Sequence, residues 1–196
     1  MVVVQRELEW PASWEEARAF ARRITDRLGN PIDEGILETV VALNMLGFRT
    51  CQSCEGHLDG GRPYPWIDFE TGECPMWYEQ AQEEVNREGQ SAEEEEAAVD
   101  RLMAQLADYH HPNHLYTRLS ALLDDFYESR SGDPEDWRLL LHCMQPGYYR
   151  LCSAGGYAAD EWTETARAAN LARSQAEMQA FTVFLQQHAG LGTRRK

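Results

Sequence analysis

The stretch FRTCQSCEGH, residues 48–57, joined by a glycine- and proline-rich connection to WIDFE, residues 66–70, decides the fold. Phe48 to Cys51 reads as a short strand entered directly from a helix that stops at Gly47. Trp66, Ile67, Asp68, Phe69 and Glu70 alternate with period two, the signature of a second strand with one buried face. Two strands separated by a loop of this composition place the intervening polar residues at the end of a sheet, where binding and catalytic groups tend to lie.

Working outward, the residues before this pair read as two helices. Ser13 with Glu16 makes a capping box, and Trp14, Ala17, Ala21, Ile24 and Leu28 follow at helical spacing, so the first helix is expected to run to Gly29. The second opens near Pro31 and Asp33 and places Ile36, Val40 and Leu43 on one face. Downstream, residues 74–109 are helical and acidic, broken at Gly89 and restarted by Ser91 with Glu94. His110 to Asn113 form a hinge in which Asn113 can cap the next helix, whose apolar face is Leu115, Leu119, Leu122 and Phe126. After turn residues at Ser131 to Pro134, Leu139 to Met144 and Tyr148 to Ser153 flank Gln145-Pro146-Gly147 as a β-hairpin. A long helix closes the chain from Asp160 to His188, with Trp162, Ala166, Ala169, Ala176, Ala180 and Val183 as a stripe of mostly small residues suited to close packing. The expected fold is a single α+β domain over residues 1–196, with a small mixed or antiparallel sheet of about four strands packed by helices.

Composition narrows the function. With 18 basic residues against 33 acidic, the net charge is −15, which repels phosphate backbones and anionic lipid surfaces. Nonspecific nucleic-acid binding is therefore disfavoured, although a small anion held by Arg49 or Arg62 is not. Much of the excess is local: residues 79–100 carry nine acidic side chains against Arg87 alone. No apolar run has the length of a membrane span, and the opening MVVVQRELEW meets charge too early for a signal-peptide core, so a cytoplasmic protein is expected. Five cysteines, an odd number, then read as reduced thiols, with Cys143 and Cys152 as buried apolar residues beside the hairpin turn.

Residues 50–57 collect a hydroxyl, two thiols, a carboxylate and an imidazole, and three chemistries compete for them. Cys51 and Cys54 have C-x-x-C spacing, His57 follows at the same step, and Cys74 could complete a tetrahedron around zinc. Alternatively, Cys54 is a nucleophile activated by His57, with Glu55 or Asp68 orienting the imidazole. In the third case the backbone amides of Ser53 to Gly56 hold an anion that Arg49 neutralises, Tyr64 or Trp66 offers a stacking face, and Asp68 reads donor groups of the ligand.

Ile32-Asp33-Glu34 together with Thr50-x-x-Ser53-Cys54-x-Gly56-His57 resembles the wybutosine-synthesis methyltransferase (Tyw3-like) family over residues 32–70. The resemblance implies an α+β fold and a loop at which Ser53, Cys54 and Gly56 shape a ligand site. In that family the ligands are a modified guanosine of tRNA and S-adenosylmethionine. His57 stands where the family motif carries arginine.

The function expected from all this is binding, or transformation, of a small polar or nucleotide-like ligand at the T-x-x-S-C-E-G-H loop. A second possibility is a noncatalytic adaptor, clipped by zinc, that binds a basic protein through its acidic helices. A homodimer through the long C-terminal helix is compatible with either.

Overall fold

The computed structural model of the chain describes residues 9–190 except positions 27, 60, 73, 110–112, 129, 131–136 and 157–161. In chain order its elements are α1 (Trp14–Ala21), α2 (Glu34–Met45), β1 (Arg49–Cys54), β2 (Trp66–Glu70), α3 (Met76–Val85), α4 (Ala92–Asp108), α5 (His114–Glu128), β3 (Leu139–Gln145), β4 (Tyr148–Ser153) and α6 (Glu164–His188). The four strands form one antiparallel sheet in the order β1-β2-β4-β3, so the fold is α+β. Among the described residues, no helix is long and apolar enough to cross a membrane.

The strand alternation assigns the two faces of the sheet. Ile67 and Phe69 of β2 lie opposite Leu151 and Tyr149 of β4, and all four are fully buried. With Phe48, Leu139, and the apolar faces of α2, α5 and α6, they make the main core. Phe69 stacks on Tyr149 at 5.6 Å and meets Phe48 edge-on at 6.2 Å. Buried polar groups on this side are paired: Thr39 of α2 and Thr182 of α6 share a hydrogen bond of 2.7 Å, and Ser174 of α6 donates to Ser153 of β4.

The other face carries Trp66, Asp68 and Glu70 opposite Cys152, Arg150 and Tyr148. Asp68 is only 1% exposed, and a carboxylate that deep needs partners. Arg150 supplies a bidentate pair through Nε (2.6 Å) and Nη2 (2.7 Å), and the Tyr148 hydroxyl donates a third bond at 2.8 Å. The Arg150 guanidinium carbon lies 4.3 Å from the centre of the Trp66 ring, and its Nη1 has no hydrogen-bond partner among the described residues. At one end of this face Tyr64, Cys152, Trp66 and Trp162 form a second small cluster.

Several sequence expectations are corrected. The first helix stops at Ala21 rather than Gly29, because Thr25 forms an isolated bridge with Pro31 and the Asp26 carboxylate accepts from the Leu28 and Asn30 amides, which turns the chain back. Leu28, expected on its buried face, is 87% exposed. The first strand continues to Cys54, with a bulge between Thr50 and Gln52. In α6 the small-residue stripe is not the packing face: Ala169, Ala176 and Val183 are exposed, while Met178, Phe181 and Leu185 enter the core, since larger side chains gain more from burial. Trp162 precedes that helix. Asn113 caps α5 as expected, accepting from the Leu115 and Tyr116 amides, whereas the rest of the hinge, the 131–134 turn and Asp160 lie outside the described residues.

Truncating the ring that packs between Tyr149 and Phe48 tests this core. Phe69→Ala is expected to cost about 3–5 kcal/mol in urea unfolding, against less than about 0.5 kcal/mol for Val183→Ala on the exposed side of α6.

Candidate functional site

Two structural requirements meet at the start of α2. Its first amides lack helical partners, and Asp33, in the N-cap position, would ordinarily satisfy them. The Asp33 side chain makes no capping bond. Instead Glu55, arriving from the end of β1, accepts from the Gly35 amide at 2.7 Å, and Asp33 Oδ2 accepts from the Glu55 amide at 3.0 Å. Asp33 thus holds the Glu55 backbone, while Glu55 holds the helix amide two residues beyond Asp33. This arrangement depends on Gly35 having no side chain, since a Cβ there would sit 2.5 Å from Glu55 Oε2.

Because Glu55 takes over the capping, the Asp33 carboxylate is free to face the loop. His57 Nε2 lies 3.4 Å from Asp33 Oδ2, and the Cys54 sulfur accepts from the Gly56 amide at 3.3 Å. One donor atom each from Asp33, Cys54 and His57 lies within 4.8 Å of the others. Gly56 makes the turn with φ +87°, and a side chain on it would run into Leu171 and the Tyr64 backbone. Gln175 of α6 donates to the Glu55 carbonyl at 3.0 Å, which ties the loop to the last helix. A crevice of about 240 Å³ lies beside it, bordered by Gly35, Glu55, Pro65, Gln175, Met178 and Gln179.

The structure therefore gathers two of the four residues read as zinc ligands, Cys54 and His57, and adds Asp33. Cys51 and Cys74 lie outside that group. The bulge in β1 sets Cys51 against Tyr148, near Asp68 and Glu70, where burial pushes its thiol up to about 12. Cys74 is exposed in the segment before α3. No disulfide joins any of the five cysteines, and Cys143 and Cys152 point to opposite faces of the hairpin.

Of the residues assigned to an acid–base apparatus, His57 has Asp33 as its carboxylate neighbour. Glu55 is engaged at Gly35 and Asp68 at Arg150 and Tyr148. Burial, followed by the Asp33 and Glu55 charges, raises the Cys54 pKa, with the Gly56 amide opposing; without a cation this sulfur is held as a thiol. The residues assigned to an anion site are partly occupied by the chain itself. The Glu55 and Gly56 amides bind Asp33 and Cys54, Trp66 carries Arg150, and Tyr64 is buried, takes a hydrogen bond from Arg62 and packs against Gly156. Ser53 pairs with Ile67, and Arg49 lies at the other end of β1 opposite Glu70. Asp33 was the member hidden from sequence reading, because an acidic residue just before a helix reads first as its cap. Searches of family models, curated proteins and solved structures find no match to this chain.

Two outcomes follow. Gly35→Ala is expected to destabilise the protein although alanine favours helix by about 1 kcal/mol, because it evicts Glu55; in a Glu55→Ala background the same change should stabilise, and a double-mutant cycle in urea reads the reversal. The raised thiol of Cys51 keeps its proton in the folded state where the unfolded chain loses it, so stability should fall as pH rises from roughly 8.5 toward 12. The fall in urea midpoint should be shallower in Cys51→Ala.

Proposed function

We propose that the chain is a metal-dependent binding protein or enzyme for a small polar or nucleotide-like ligand, with Asp33, Cys54 and His57 holding one zinc ion. The observation that carries this reading is the approach of a carboxylate, a thiol and an imidazole to within 4.8 Å. Oxygen, sulfur and nitrogen donors of this kind suit zinc, and at bond lengths of about 2.0–2.3 Å they would sit roughly 3.3–3.8 Å apart, so the group needs to close by only about 1 Å. Three protein ligands leave a fourth tetrahedral position for water or for a ligand atom, the arrangement of catalytic rather than structural zinc. Bound zinc would convert Cys54 to its thiolate and act as a Lewis acid at that position.

The surroundings support the assignment. Glu55 relieves Asp33 of capping duty and fixes its position through the backbone, as outer-shell groups do for metal ligands. The resemblance of residues 32–70 to wybutosine-synthesis methyltransferases supports the same location, with His57 exchanging that family's guanidinium for a metal ligand.

Elemental analysis of the untagged protein checks the proposal. The expected result is one zinc per chain, retained in Cys51→Ala and Cys74→Ala and lost in Cys54→Ala and His57→Ala. Zinc at 100 times its Kd should also raise stability by about 2.7 kcal/mol. A wild-type protein without zinc that gains no stability when zinc is added would overturn it.

A further inference from the structure

The α3–α4 hairpin plays no part in the site above. Among the residues of α4 whose burial is described, Ala98 alone is buried, with Leu102 and Leu106 half-buried on the same stripe. Beside that stripe Ala92, Glu96, Val99, Met103 and Ala107 are exposed at spacings of four, three, four and four, which keeps them on one side of the helix. Val99 is 39% and Met103 59% exposed. Glu93 and Asp100 flank this stripe on one side and Glu95 on the other by helical position. Arg101, the one cation of α4, points away from it and pairs with Glu84 of α3.

Charge selects the occupant. A second copy would bring the same acidic helix against this one, and anionic lipid or nucleic acid would be repelled in the same way. A helix with apolar residues at matching spacing and Lys or Arg on its flanks satisfies both the apolar stripe and the acidic border. We propose that the Val99–Met103 face of α4 is a docking surface for a basic amphipathic helix of another protein. The surface is independent of the zinc proposal.

A synthetic 18-residue peptide with leucine at helical spacing and lysine elsewhere serves as the probe, and a scrambled isomer without periodicity is its control. Binding of the periodic peptide, followed by fluorescence anisotropy, should be at least tenfold tighter than that of the isomer and should weaken with added salt. Val99→Ser/Met103→Gln, which alters only exposed side chains and adds no charge, should lose tenfold or more while keeping the wild-type far-ultraviolet dichroism. Glu93→Gln/Glu95→Gln/Glu96→Gln/Asp100→Asn should flatten the salt dependence. Equal affinity for both peptides would reduce the surface to a generic polyanion. Undiminished affinity in the Val99/Met103 variant, or no binding at all, would equally overturn the proposal.

Discussion

A carboxylate almost sealed into the middle of a sheet determines how the rest of this chain can be arranged. Asp68 is tolerable there only while Arg150 and Tyr148 of the neighbouring strand meet both of its oxygens. That requirement selects one register between β2 and β4, the one that also sets Phe69 on Tyr149 and Ile67 on Leu151 across the opposite face. A slip by one residue would put the carboxylate in the apolar core and the phenylalanine outside. The same pair brings the guanidinium over Trp66, so the ring of the residue that pairs with Cys54 is already covered by the protein's own cation.

With the sheet held, the end of β1 arrives at the start of α2 in a fixed position, and the exchange between Asp33 and Glu55 becomes possible. Each residue does what its neighbour's location would suggest for the other. Glu55, 20 positions away in sequence from the amide it serves, caps the helix, and Asp33 turns toward Cys54 and His57. Two hydrogen bonds and a missing Cβ at Gly35 thereby convert a helix cap into a candidate metal ligand. The anchoring bond from Gln175 adds α6 to the support of the loop, so three elements determine the geometry of the cluster.

How much of this can be read from the residues alone depends on the range of the interaction. The second strand was legible to the residue at 66–70, because apolar Ile67 and Phe69 alternate with Trp66, Asp68 and Glu70 at a period of two. The α4 start was equally clear, because Ser91 and Glu94 form both bonds of their capping box. The early end of α1 was not, since it is decided by Asp26 side-chain bonds that compete with the helix. The stripe in α6 misled for a different reason: alanines spaced for packing were present, but Met178 and Phe181 had more area to bury. At the site, the spacing of Cys54 and His57 was local and visible, whereas Asp33 and the engagement of Trp66 and Asp68 required a strand register and a helix start to be known together.

The two outer strands share a feature that the inner two lack. β1 shifts register between Thr50 and Gln52, and β3 does so between Cys143 and Gln145. An added strand needs an unbroken row of amides and carbonyls, and each edge offers one interrupted after a few residues. The sheet is thus protected against growing into a fibre by the shape of its own backbone, a safeguard that added salt would not screen.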